Sequence, residues 1–137
     1  MEVAPATGSI VLLTRLARVV YRRSTEDLLG IRLKELSALA YLREHREASQ
    51  QAFSEGLHLD ANNCVLLLNE LEERGFLTRT RDPSDRRRHR VELTASGLEA
   101  LERAERAQDA IEDQVLGALS AEERATLRSL LARALAG

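Results

Sequence analysis

The chain has one cysteine, no tryptophan and only 3% aromatic residues. A single thiol, Cys64, cannot build an internal disulfide framework, so the expected compartment is the cytoplasm. So few rings cannot form the stacking platforms that single-stranded nucleic acid requires. No apolar run approaches the roughly 20 residues of a bilayer span, so no membrane is expected. Met1 to Ser9 has no basic stretch leading into an apolar one, and no signal peptide is expected. The parts of an enzyme are also missing. There is no nucleophile beside a base, no glycine-rich phosphate loop and no metal-ligand spacing. His45, His58 and His89 lie far apart and read as surface histidines. The glutamates sit among arginines on helix faces, where they make i,i+4 pairs. No catalytic residue, metal or cofactor is expected.

The sequence has 137 residues, of which 44% are hydrophobic and 31% charged. That fits one folded domain, 1–137. The net charge is −2, which by itself does not suggest a polyanionic partner. Its distribution does. Between Arg79 and Arg90 stand six arginines (79, 81, 86, 87, 88, 90) against Asp82 and Asp85. A cationic patch on an acidic body suits a protein that touches phosphate at one place. A solvated basic loop is the plainer alternative.

Helical periodicity covers most of the chain. Ser9 to about Leu28 reads as one helix, with Leu13, Leu16, Ala17 and Val20 on an apolar stripe, broken by Gly30. Arg32 to His45 reads as a second. Ser49 can cap a short helix, Gln50 to Glu55, that Gly56 ends. Leu57-His58-Leu59 forms a tight connection. Asp60 can cap the next helix, which runs to Arg74 and stops at Gly75. Cys64 shares a spacing with Leu67, Leu68 and Leu71 and reads as a small buried filler. Phe76 to Arg81 and Arg88 to Leu93 alternate around the turn Asp82-Pro83-Ser84-Asp85, which predicts a β-hairpin. Thr94 starts a long helix to about Leu119 with a thin seam of Leu98, Leu101, Ala104, Ile111 and Val115. Ser120 and Glu123 form a capping box for a last helix carrying Leu127, Leu130, Leu131 and Leu135.

Short helix, tight turn, helix and hairpin, in that order, describe a winged helix-turn-helix: mainly α, with a small β wing. A helix of about 22 Å fits the major groove of a duplex, and the hairpin would reach the neighbouring backbone. The outer helices carry more apolar surface than a core of 32–93 needs. The segments 9–29 and 94–136 are therefore expected to form a homodimer, with two reading helices roughly 34 Å apart on a pseudo-palindromic site.

Three stretches are familiar: Leu66-Leu-Leu-Asn-Glu-Leu-Glu-Glu-Arg-Gly-Phe-Leu77, Arg79-Thr-Arg-Asp-Pro-Ser-Asp-Arg-Arg-Arg88 and Val91-Glu-Leu-Thr-Ala-Ser-Gly97. Together, at this spacing, they resemble the multiple-antibiotic-resistance regulator (MarR) family of bacterial repressors. The resemblance in element order spans about residues 9 to 136. It implies a sequence-specific regulator of transcription that binds double-stranded DNA as a dimer and is released by a small aromatic or phenolic ligand. The helix at 60–74 would enter the major groove. An arginine near the wing tip, Arg86 or Arg87, would enter the minor groove, oriented by Asp85. Asn62, Asn63, Leu66 and Asn69 are the candidates on the reading helix. Arg79, Arg81 and Arg88 are candidates for the backbone.

The sequence departs from the family pattern in two ways. It has no Arg or Lys between Asp60 and Glu73, and Leu66 stands where a polar or basic residue is common. It also lacks the reactive cysteine near the first helix that redox-sensing members keep. The cation-free helix leaves a second reading open: a winged-helix adaptor that binds a partner protein and has weak or no affinity for DNA.

Overall fold

Residues 6–137 are described by the structure, a computed structural model. Helix α1 (Ser9–Arg23) does not continue to Leu28 as the periodicity suggested. Thr25 takes an extended backbone, and its hydroxyl oxygen accepts the N–H of Leu28. A one-turn helix α2 (Glu26–Leu29) starts there, with Glu26 and Asp27 in its first turn. A capping hydroxyl and two acids favour a helix N-terminus at this point over the middle of a longer helix. Gly30, in the left-handed region at φ 82°, ends α2.

The carboxylate of Glu35 reaches back to accept the N–H of Arg32 at 2.8 Å, starting α3 (Leu33–Glu44). Its inner face buries Leu36, Ala38, Leu39 and Leu42. Strand β1 (Ala48–Ser49) leads directly into α4 (Gln50–Gly56), where Ser49 Oγ accepts the N–H of Ala52 at 3.0 Å. His58 makes the connection in the left-handed region at φ 55°, and Ser54 closes it through its hydroxyl to Leu59 O. Asp60 then caps α5 (Ala61–Glu73), accepting the N–H of Asn63 at 2.7 Å. Gly75 stops it at φ 77°, with Phe76 N–H returning to Leu71 O and Gly75 N–H to Glu72 O. This is the glycine-terminated close that the sequence implied.

Strands β2 (Leu77–Arg81) and β3 (His89–Leu93) pair antiparallel, Arg79 opposite Val91. The hairpin gains a third strand that the sequence reading lacked. β1 pairs with the other edge of β3, Ala48 opposite Val91 and Ser49 opposite Arg90, so the order is β1-β3-β2. Two residues are too short to show alternation, which needs about four.

Helix α6 (Ala95–Val115) is capped by Thr94, whose Oγ accepts the N–H of Gly97 at 3.0 Å. Gly97 permits no side chain: a Cβ there would lie 2.1 Å from Phe76 O. The helix stops at Val115, short of the expected Leu119. Leu116 to Leu119 form a turn containing Gly117, before Ser120 and Glu123 cap α7 (Ala121–Ala136) reciprocally. A glycine followed by a capping box favours a break.

Two compact units result. Ser24–Ala107 contains the sheet and α2 to α5, with a core built from Phe53, Leu39, Leu68, Leu71, Leu77, Val91 and Leu101. It is a winged helix-turn-helix. The other unit contains α1, the end of α6 from Gln108, and α7. Within it Arg124 ties α7 to Asp113 at 2.7 Å and to Leu116 O at 3.1 Å. Helices α1 and α7 bury no residue. No helix among the described residues is long and apolar enough to cross a membrane.

One charged group lies wholly inside the first unit. The Glu35 side chain is 0% exposed, and Arg74 Nη1 donates to both its oxygens, at 2.9 and 3.1 Å. Arg32 also pairs with Glu70. A buried carboxylate that loses its cation costs more than a pair replaced as a whole. Arg74→Ala is expected to destabilise the protein by about 3 kcal/mol in urea unfolding. Glu35→Gln, which removes the charge and keeps the shape, should cost only about 1 kcal/mol. The reverse order would mean that the ion pair contributes little.

Candidate nucleic-acid interface

Helix α5 has two opposite faces. Cys64, Leu67, Leu68 and Leu71 face inward, and Cys64 is the buried filler expected from its spacing. Asn62, Val65, Leu66 and Asn69 are spaced i, i+3, i+4 and i+7, so they form one outward stripe, and all four are exposed. Val65 was not among the residues singled out in the sequence, although its spacing from Asn62 and Asn69 would have placed it there. The helix is about 20 Å long at 1.5 Å per residue.

Asn62 makes no side-chain hydrogen bond among the described residues. Asn63 is committed locally: its backbone N–H and its Nδ2 both donate to the Asp60 carboxylate, at 2.7 and 2.9 Å. Asn69 accepts from Arg79 Nη2 at 2.6 Å. Leu66 is 57% exposed.

The wing tip is organised by its two aspartates. Asp82 Oδ1 accepts the N–H and the hydroxyl of Ser84, at 2.9 and 2.7 Å. The Ser84 hydroxyl bond, then its N–H, hold the Asp82 carboxyl below the usual carboxylate range. Asp85 Oδ1 accepts the N–H of Arg87 at 3.0 Å, and Arg88 N–H donates to Asp85 O at 3.0 Å. The Asp85 carboxylate also stands 3.4 Å from Arg87 Nε and 3.8 Å from Arg88 Nε. The Arg87 side chain is nevertheless 92% exposed. Arg86 and Arg81 are exposed and have no ion pair among the described residues. Beside the tip runs a groove of about 350 Å³ between Gln50 and Ser54 of α4, Val65 of α5, and Arg87 to His89 of the wing.

Arg79 occupies a different place from the other candidates. Its Nη2 lies 2.8 Å from Glu72 Oε1 as well as touching Asn69, and its N–H reaches Glu72 Oε2 at 3.2 Å. It braces strand β2 against α5. Arg90 lies 3.6 Å from Glu47, in the loop before β1.

Residues 31–89 match the model of the MarR family. Over that segment the chain is similar to the MarR family. All ten residues expected to meet DNA fall inside the matched segment. An HTH-type transcriptional regulator of Bacillus subtilis, YdgJ, is 33% identical over 104 residues, 76% of this chain and 63% of that protein. The chain spans about half the length of other curated regulators it matches, 51% of one and 48% of another. A MarR-family regulator from Rhodococcus sp. RHA1 has a similar structure, with a TM-score of 0.81 at 27% identity, over 90% of this chain and 89% of that one. The PcaV regulator of Streptomyces coelicolor, solved with its natural ligand, gives a TM-score of 0.78 at 26% identity, over 98% and 96% of the two chains.

The brace has a titration signature. The hydrogen bond from Arg79 holds the Glu72 carboxyl below 4.5, its ordinary value. A lowered folded pKa means that the brace is intact above the unfolded value and is lost as pH falls through the folded one. In Arg79→Ala the Glu72 carboxyl should titrate higher, toward 4.5, in a side-chain carboxyl NMR experiment. An unchanged titration would mean that the brace does not form in solution.

Proposed function

We propose that this protein is a dimeric, sequence-specific regulator of transcription that binds a pseudo-palindromic site on double-stranded DNA. The observation that carries the reading is the pairing of an outward, exposed face on α5 with a wing whose arginines are presented around an internal carboxylate. In this reading α5 lies in the major groove, with Asn62, Leu66 and Asn69 toward the bases and Asn63 at the edge of the contact. Arg86 or Arg87 enters the minor groove at the wing tip, and Asp85 holds the backbone that presents them. Arg81 and Arg88 meet phosphates. Arg79 acts from behind, by fixing Asn69 and the wing.

Dimerisation is supported by the outer helices. Ile10, Tyr21, Leu130 and Leu135 are 50 to 76% exposed, more apolar surface than a helix leaves in water without a partner. Release by a small aromatic or phenolic ligand belongs to the same reading. It is supported by the ligand-bound PcaV structure and by a cleft of about 560 Å³ in this chain, walled by Leu29, Ile31 and Phe76 with Arg74, Arg103 and Arg106. The place of action is the bacterial cytoplasm.

The adaptor reading is kept alive by one observation: α5 has no cation from Ala61 to Glu73. Salt dependence separates the two. Counterion release makes DNA affinity fall steeply with salt, whereas a protein partner gives a shallow slope. A library of random duplexes should therefore yield an enriched pseudo-palindrome whose affinity falls steeply as salt is raised. Arg86→Ala with Arg87→Ala should weaken binding to every duplex and flatten the log–log salt slope by about 2 per protomer. An unchanged slope would remove the wing from the interface. Leu131→Glu, on the 40% exposed Leu131 of α7, should yield monomers at micromolar concentration in analytical ultracentrifugation. A variant that still sediments as a dimer would place the interface elsewhere.

A further inference from the structure

The outward face of α5 is apolar at its centre. Val65 and Leu66 are 41% and 57% exposed, side by side on the second turn. Covering such side chains with an apolar group is favourable, and leaving them in water is not. The polar residues around them are partly used up. Asn63 is held by Asp60, and Asn69 has its acceptor oxygen occupied by Arg79. Asn62 remains, one turn toward the N-terminus, with its amide uncommitted among the described residues. Farther along the stripe stands Glu73, whose carboxylate repels phosphate and confines close approach to the first two turns.

The major groove presents one apolar group, the C5 methyl of thymine. Guanine is read most often by a bidentate Arg or Lys, and α5 has neither. Asparagine suits adenine, donating to N7 and accepting from N6. We propose that α5 selects thymine- and adenine-containing half-sites, Val65 and Leu66 covering thymine methyls and Asn62 pairing with adenine. This rests on the DNA-binding reading above. Discrimination then comes from apolar burial, which displaces no counterion. The preference is accordingly insensitive to salt, although the affinity itself is not.

The test takes the duplex that wild-type protein enriches from a random library and resynthesises it with deoxyuridine in place of thymidine in the half-sites. Uracil keeps every hydrogen-bonding group of thymine and lacks only the methyl. Wild-type protein should bind the uracil duplex about fourfold more weakly for each covered methyl. The ratio should stay constant between low and moderate salt. Leu66→Ala keeps a good helix former at an exposed position, so it should fold. It should lose much of the thymine preference, which also controls for any change in duplex shape. Equal wild-type binding of the two duplexes would overturn the proposal, as would enrichment of half-sites rich in guanine and cytosine. Failure of the DNA-binding reading looks different: a folded dimer that retains no duplex of any sequence at low salt.

Discussion

The elements that would meet DNA are aimed by one joint, Arg74-Gly75-Phe76. Arg74 closes α5 and carries the cation that neutralises buried Glu35 on α3. Gly75, in the left-handed region, turns the chain into β2, and its carbonyl accepts the Thr94 hydroxyl at 2.6 Å. Phe76 O accepts Thr94 N–H at 3.1 Å and leaves room only for glycine at position 97. The Arg74 guanidinium also lies 4.8 Å over the Phe76 ring. Three residues therefore set the angle of α5, the root of the wing and the start of α6. A buried ion pair contributes little net stability compared with an apolar replacement. Its effect here is geometric: Glu35 accepts only an α5 whose end delivers Arg74 to it.

The same economy holds on the other side of the helix-turn-helix. Tyr41 donates its hydroxyl to Ala52 O at 3.0 Å and packs edge-on to Phe53, ring centroids 5.9 Å apart. This fixes α4 against α3 with two of the three aromatic side chains of the unit. Arg43 pairs with Glu105 of α6, and that bond holds the Glu105 carboxyl below its usual range. Such pairs are half exposed and worth little each. They orient surfaces that the apolar core already holds together.

Much of this arrangement was legible in the sequence because its signals are local. Asp60 and Gly75 bracket α5 through caps that act within one turn, and Thr94 and Ser120 start their helices in the same way. The hairpin was legible because the aspartates and the proline occur together between two alternating runs. What was not legible depends on distance. β1 exists only because Val91 is already in place to receive Ala48. The break at Ser24-Thr25 is a contest between continued periodicity and a cap, which periodicity alone does not decide. The site divides along the same line. Spacing placed Cys64 on the buried face of α5 and left Asn62, Asn63, Leu66 and Asn69 as the outward candidates. It could not show that Asp60 engages the Asn63 side chain, or that Arg79 turns back to Glu72 instead of outward.

That last difference changes how the arginine cluster should be counted. Six cations in a short stretch suggest a strong, sequence-blind hold on phosphate. The structure pairs Arg79 with Glu72, sets Arg90 near Glu47, and lets Asp85 share itself between Arg87 and Arg88. Among the described residues, only Arg81 and Arg86 of the six form no ion pair. Each local acid lowers the attraction to any duplex without touching contacts made to bases. Under the proposed function one site must be picked among a great excess of others, so the ratio of specific to non-specific affinity would matter more than either alone. A wing whose charge is partly answered from within, beside an α5 that has no cation to add, would favour that ratio.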